Sequence, residues 1–305
     1  MGALAGKVGV VTGAGRGIGA AIAKLCAAEG AAVVVNDVGA ALNGAAESGR
    51  PAEEIASEIN SSGGKAIANF DSVSSWEGAR NMVASAVSTF GRIDFVVNNA
   101  GVLRDVMFHK MREEDWDAVI DVHLKGNFCV CRAAAEHFRA QGSGAIVNMT
   151  STSGLIGSMG QVNYAAAKLG IVALTRGIAL DMQRFGVRAN CVAPFAWTRM
   201  TQSIPTDSSP ESVEMREQMK QLTPEQIAPL VAFLVSDGAK AVNGQIFAVR
   251  GTEIALFSVP KPTRSLHHAG EWTVQQLADV LPDALARNFE PLAVTNDFFG
   301  HPPLL

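Results

Sequence analysis

The chain has 305 residues, enough for one large α/β domain or two small ones. Hydrophobic residues make up 48% and charged residues 18%, which suits a buried globular core and excludes a disordered chain. A net charge of −4 with no basic block argues against nucleic acid as a partner. Short β-branched runs then alternate with helix-like segments. Val8 to Val11 reads as a strand, followed by a glycine turn and an Ala-rich helix to about Glu29. Strands are expected at 32–35, 65–69, 95–97, 145–148, 187–192 and 245–249, with helices over 52–60, 76–90, 115–140, the segment around Tyr164, and 224–236.

Unbroken apolar strands between helices predict a seven-stranded parallel sheet covered on both faces. Right-handed crossovers make it doubly wound, with ligands at the carboxyl ends of the strands. Residues 38–50 are Gly/Ala-rich and longer than a usual β–α connection, so a mobile surface loop is expected there. The main domain is expected to end near residue 254. Residues 255–305 form an extension with one amphipathic helix at about 273–287, expected to cover the same domain or a neighbouring subunit.

Thr12-Gly13-Ala14-Gly15-Arg16-Gly17-Ile18-Gly19 follows a strand and opens a helix. Glycines there let the backbone approach a pyrophosphate whose charge sits on the helix N-terminus. Asp37 ends the next strand, where a carboxylate accepts hydrogen bonds from adenosine ribose hydroxyls and repels a 2′-phosphate. Arg16 inside the glycine loop argues the other way, toward NADP. Asp37 meets the 2′ position directly, so NAD is the expected cofactor.

Tyr164 is the only tyrosine, and Lys168 follows at a spacing that places both on one helix face. A nearby cation favours a phenolate, which makes the two a proton-transfer pair. Ser151 lies thirteen residues before Tyr164. The cysteines Cys26, Cys129, Cys131 and Cys191 are scattered, which argues for a reducing compartment, a cytoplasmic location, and no disulfide frame or metal site. No signal peptide is visible, and the most apolar helix is interrupted by Lys168, Arg176 and Asp181, so no membrane span is expected.

These residues together resemble the short-chain dehydrogenase/reductase family over residues 6–250. The motifs are the glycine loop, Asp71 after the third strand, Asn98-Asn99-Ala100-Gly101 after the fourth, and Ser151 with Tyr164 and Lys168. The resemblance implies a Rossmann-type fold. Finer segments are similar to the subgroup that includes the dehydrogenase domain of peroxisomal multifunctional enzyme type 2. They include Val35-Asn36-Asp37, Gly101-Val102-Leu103-Arg104-Asp105, Asp121-Val122-His123-Leu124 and Ala193-Pro194-Phe195-Ala196-Trp197-Thr198. The resemblance implies that Tyr164 exchanges the proton, Lys168 lowers its pKa and holds the nicotinamide ribose, and Ser151 bonds the substrate oxygen. It places Asp71, with Ser72 and Val73, near the adenine, and Asn98, Ala100 and Gly101 in the cofactor-site wall. Pro194 and Thr198 fall near the nicotinamide. His123 stands where most of the family has Asn. Its backbone carbonyl is expected to serve a water relay to the lysine, and its imidazole either joins that relay or simply packs in the helix. Phe195 stands where a glycine usually follows the proline.

The resemblance implies NAD-dependent oxidation of a (3R)-hydroxyacyl-CoA to the 3-ketoacyl-CoA by a stand-alone homodimer or homotetramer. Apolar Leu103, Val106, Met107, Leu155, Met159, Phe195, Trp197 and Met200 suit a greasy acyl or sterol-like thioester. Arg104, Lys110, Arg112 and Arg199 are the basic residues available to a CoA head. A hydroxysteroid or steroid side-chain CoA dehydrogenase is the near alternative. A ketoacyl-carrier-protein reductase ranks lower because Asp37 disfavours NADPH. A non-catalytic NAD sensor ranks lower because Ser151, Tyr164 and Lys168 are all present.

Overall fold

The computed structural model describes residues 2–40, 49–202 and 210–305; most of the connection expected over 38–50 lies outside them. The strands are β1 (Val8–Thr12), β2 (Ala32–Asn36), β3 (Lys65–Asn69), β4 (Phe95–Asn98), β5 (Gly144–Met149), β6 (Val187–Phe195), β7 (Ile246–Arg250) and β8 (Glu253–Leu256). They form one sheet in the order β3-β2-β1-β4-β5-β6-β7-β8. The first seven are mutually parallel, as expected. The eighth was not anticipated. It folds back antiparallel on β7 through the two-residue turn Gly251-Thr252, pairing Arg250 with Glu253. A four-residue strand with no fully buried position carries too little periodicity to be read in advance.

The helices in chain order are α1 (Gly17–Ala28), α2 (Pro51–Ser61), α3 (Trp76–Phe90), α4 (Glu113–Ile120), α5 (Gly126–Gln141), α6 (Thr152–Leu155), α7 (Val162–Met182), α8 (Arg199–Gln202), α9 (Pro210–Met219), α10 (Ala228–Val235), α11 (Val274–Leu285) and α12 (Thr295–Phe299). The helix expected over 115–140 is α4 and α5 joined by a π-helical turn, Asp121–Lys125.

Strand alternation assigns each face its own core. Val33, Val35, Phe95, Val97 and Val147 bury into one cluster with Ile22, Leu230 and Val231, under α1 and α10. Val34, Val96 and Ile146 point the other way, against Met82, Val83, Val130 and Phe138 of α3 and α5. With both faces covered, the free ends of the parallel strands are the open places. The order reverses between β1 and β4, so the crevice at their carboxyl ends is the switch point where ligands bind in such sheets.

The extension packs on the same fold. Phe257 and Val259 join the partly buried shell around Ile171, Val172, Cys191 and Ile246. Phe299 of α12 lies 4.9 Å from the Phe195 ring, and Thr295 N donates to Gly157 O at 3.2 Å. Arg250 donates to the carbonyls of His301 and Pro302, and Thr252 N donates to Leu304 O at 2.9 Å. The extension therefore touches the end of β6 and the loop after α6. Truncation after Gly251 is expected to weaken use of bulky substrates. It should also lower Tm by a few degrees, since Phe257, Val259 and Phe299 are partly buried against the fold and ~1 kcal/mol shifts Tm by ~2–4 °C. A truncated protein with unchanged Tm, kcat/KM and assembly would show the segment to be dispensable.

Candidate active site

A cleft of about 430 Å3 opens at the switch point. A larger hollow of about 660 Å3, between Lys7, Asp94, Arg188 and Asp237, contains none of the predicted site residues. Gly13 has φ +60°, and a Cβ on it would come within 2.7 Å of Ala100 Cα, so the turn requires glycine. Thr12 Oγ1 accepts from the amides of Asn99 and Ala100 at 3.0 and 3.1 Å. Asn99 Nδ2 donates to the carbonyls of Thr12 and Gly13 at 3.1 and 3.0 Å. The glycine loop and the loop after β4 are thus locked together. No side chain caps the N-terminus of α1, which leaves its first amides directed at the cleft formed by Gly13, Arg16, Gly17 and Ile18. At the rim, the Asp37 carboxylate accepts from Gly15 N at 3.0 Å and Gly39 N at 2.8 Å. This cradle of glycines, uncapped amides and a rim carboxylate fits a dinucleotide.

Ser72, Val73, Ala100, Gly101, His123, Tyr164, Lys168, Pro194 and Thr198 also line the cleft. Four predicted residues do not. Gly19 lies beneath, where a Cβ would meet Gly13 O at 2.2 Å, so its role is packing. Asp71 accepts from Asn69 Nδ2 at 2.8 Å and Asn81 Nδ2 at 3.3 Å, away from the cleft lining. Asn98 is buried, with Nδ2 donating to Asn148 Oδ1 at 2.9 Å. It braces β4 against β5, and its neighbour Asn99 forms the wall instead. Ser151 lies beyond the cofactor cleft. Sequence reasoning missed Asn99, Asn36, Val102, Thr150 and Arg199 as lining residues. Asn99 was within the quoted motif; alternation places Asn98, the last residue of β4, inward and leaves Asn99 to the loop.

The residues expected to carry the chemistry are brought together by β5, α6 and α7. Ser151 precedes α6, and its Oγ accepts from Ser153 N at 3.2 Å, while its hydroxyl is hydrogen-bonded to Tyr164. Tyr164 and Lys168 are both buried, one turn apart on α7, with Nζ 5.4 Å from the phenol ring centre. Lys168 Nζ donates to Met149 O at 2.8 Å, and Thr150 Oγ1 donates to Lys168 O at 2.7 Å. These bonds fix α7 to the end of β5. Burial pushes the Tyr164 phenol up to about 12; the Ser151 hydroxyl opposes this and the Asp105 charge adds to it. Burial pushes Lys168 down to about 7. Burial is the largest cause for both groups, and it moves the phenol opposite to the direction expected from a neighbouring Lys168.

His123 sits in the π-helical turn, a local irregularity often found at functional sites. Its Nε2 faces both Val102 N, at 3.1 Å, and Val102 O, at 2.8 Å, so the ring is fixed against that residue's backbone in either tautomer. A Cβ on Gly101 would meet His123 Cε1 at 2.4 Å, so only glycine passes over the ring. Burial, with the Lys168 charge second, lowers the imidazole to about 3. The ring stays neutral at ordinary pH, so a titrating imidazole near pH ~6.5 does not operate here. His123 O accepts from Asn127 Nδ2 at 2.6 Å, so the carbonyl expected to serve the relay already has a partner.

Of the expected substrate-side residues, Met107 and Met159 are exposed and Phe195 carries Phe299. Leu155 packs into the core, Trp197 stacks under Arg216 at 5.4 Å, and Met200 lines the cofactor cleft. Arg112 is paired with Asp115 at 3.1 Å, and Arg199 lines the cofactor cleft. Among the described residues, no cluster of His, Cys, Asp or Glu could hold a metal ion, and no helix is long and apolar enough to cross a membrane.

Comparison with known proteins agrees with this geometry. The family model described as Enoyl-(Acyl carrier protein) reductase matches residues 13–251. A hydroxyacyl-CoA dehydrogenase of Mycobacterium tuberculosis is 43% identical over 292 residues, covering 93% of this chain and 90% of its own length. Mouse peroxisomal multifunctional enzyme type 2 is 43% identical over 244 residues, 80% of this chain and 31% of that protein. Among solved structures, a short-chain dehydrogenase from Mycobacterium avium aligns with a TM-score of 0.83 at 39% identity, over 96% of this chain and 99% of its own. A 7α-hydroxysteroid dehydrogenase complexed with NADH and 7-oxo glycochenodeoxycholic acid aligns with a TM-score of 0.73 at 30% identity, over 82% and 94%. The chain belongs to the short-chain dehydrogenase/reductase family and is an oxidoreductase of CH–OH groups that uses a nicotinamide cofactor.

Proposed function

We propose that the protein oxidises the secondary alcohol of a (3R)-hydroxyacyl-CoA to the 3-ketoacyl-CoA with NAD. The observation that carries this reading is the reach of one similarity. The family match stops at residue 251, whereas the likeness to a hydroxyacyl-CoA dehydrogenase covers 93% of the chain and so takes in most of the extension. That extension touches Phe195, at the end of β6, and Gly157, in the loop after α6.

In this reading Gly13, Gly17 and the α1 amides hold the pyrophosphate, and Asp37 holds the adenosine ribose. The cofactor, when bound, supplies the hydride acceptor and, in its oxidised form, a positive charge. Ser151 turns its hydroxyl from Tyr164 to the carbinol oxygen and fixes its direction. Tyr164 takes the carbinol proton in oxidation and returns it in reduction. Because burial favours the protonated phenol, the base form depends on the cations gathered beside it, Lys168 first. His123 positions the loop from Gly101 to Val102 rather than moving a proton. Turnover of a panel of (3R)- and (3S)-hydroxyacyl-CoA thioesters and hydroxysteroids, each with NAD and NADP, tests the proposal. Turnover confined to hydroxysteroids would favour the second reading, which the 7α-hydroxysteroid dehydrogenase fold neighbour supports.

The protein is also proposed to be a cytoplasmic homodimer or homotetramer. All four cysteines are free and buried, which suits a reducing compartment. Leu169 and Leu180 on α7, Phe128 on α5 and Trp76 on α3 are large apolar side chains left exposed. Helices apolar on more than one side seek a second buried contact, and a twofold pair of the same faces closes it. Light scattering at micromolar concentration should give at least twice the 31.9 kDa chain mass; a monomer would refute the assembly.

A further inference from the structure

The loop after β4 brings a carboxylate to the far side of the catalytic phenol. Tyr164 and Lys168 line the cofactor cleft, whereas Asp105, Ser151, Ser153 and Gln161 stand outside it. Those four are joined in one chain. Gln161 Nε2 donates to Asp105 Oδ2 at 2.7 Å. The Ser153 hydroxyl donates to Gln161 Oε1 at 2.9 Å, and Ser153 N donates to Ser151 Oγ at 3.2 Å. Both sides of Asp105 are tied down as well: Val106 N donates to Gly160 O at 2.8 Å, and Asn163 Nδ2 donates to Arg104 O at 3.0 Å. The Asp105 charge reaches Tyr164 and disfavours the phenolate. Arg104 and Arg112 of the same loop both bear on Asp115. The loop charge that bears on the phenol is that of Asp105, and it is negative.

We infer that Asp105, held by Gln161, is a specificity-determining residue that admits the neutral thioester of a 3-hydroxy acid and repels the free acid. The inference rests on the hydroxyacyl reading above. In a 3-hydroxy acid, the carboxyl carbon is two bonds from the carbinol carbon. Once Ser151 and Tyr164 hold the carbinol oxygen, the substrate's own carboxylate must stay beside them. Like charges so placed cost binding and are a usual way to reject a competitor, whereas a thioester carbonyl brings no charge. The Ser153–Gln161 chain removes the alternative in which Asp105 swings away.

The test compares (3R)-3-hydroxybutyrate with its N-acetylcysteamine thioester, the same acid without a CoA head. Values of kcat/KM are measured for the wild type, Asp105→Asn, Asp105→Glu and Gln161→Leu. The wild type should favour the thioester, and Asp105→Asn should raise the ratio of free acid to thioester by ~10-fold or more. Asp105→Glu should keep the wild-type ratio, and Gln161→Leu should fall between. Asp105 is solvent-accessible, so in the wild type the ratio should also rise by a few-fold when salt increases from ~0.05 to ~0.5 M. A ratio unmoved by both Asp105→Asn and salt would overturn the inference, as would a wild type that uses the free acid as well as the thioester. No turnover of any hydroxyacyl thioester, CoA esters included, would instead sink the hydroxyacyl reading itself.

Discussion

Replacing Tyr164 with phenylalanine is expected to lower kcat by ~10²–10⁴-fold while leaving NADH binding within a few-fold of the wild type. The substitution removes the phenol oxygen and nothing else. The ring still fills its place at 5.2 Å from His123, edge to face, and Lys168 keeps its bond to Met149 O. The glycine loop is built on β1 and β4, away from α7, so the cradle is untouched. Single-turnover rates and NADH fluorescence titration separate the two effects. A variant that keeps most of its activity would show that another group moves the proton. The buried, neutral His123 is a poor substitute, being lowered to about 3.

Much of this site was legible because its parts are local. A glycine loop between a strand and a helix, and a tyrosine one helical turn before a lysine, are spacings along one element. Strand alternation also gave the sheet, since Val33 and Val35 on one face and Val34 on the other follow from a period of two. What escaped depended on contacts between distant segments. Asn98 and Asn99 look equivalent in a motif; only the end of β4 decides which one braces the sheet and which one locks the glycine loop. The π-helical turn at Asp121–Lys125 leaves no mark in periodicity, yet it sets His123 against Val102. The Asp71 carboxylate is oriented by Asn69 and Asn81, a pairing that depends on a helix ten residues on. The Tyr164 pKa was expected to fall on account of Lys168. Burial, which a spacing cannot express, raises it instead.

Cofactor choice should follow Asp37, and the expected wild-type preference is NAD over NADP by ~100-fold or more in kcat/KM. A carboxylate opposed to a 2′-phosphate costs several kcal/mol, and each ~1.4 kcal/mol is a factor of ten. The position of Asp37 is not adjustable. Its two oxygens are held by the amides of Gly15 and Gly39, so the side chain cannot turn away to admit a phosphate without leaving both donors unpaired. Asp37→Asn keeps the size and one amide acceptor but removes the charge. It should raise kcat/KM with NADP by ~10-fold or more and lower it with NAD, because the ribose hydroxyls lose a charged acceptor. Arg16 stands in the same glycine loop and lines the same cleft, so it is the residue that a bound 2′-phosphate would engage once the carboxylate is neutral. If the wild type used NADP as well as NAD, recognition would lie with Arg16 rather than Asp37, and Arg16→Ala would then weaken NADP selectively. With Asp37 in control, Arg16→Ala should leave the NAD preference in place and Asp37→Asn should erode it.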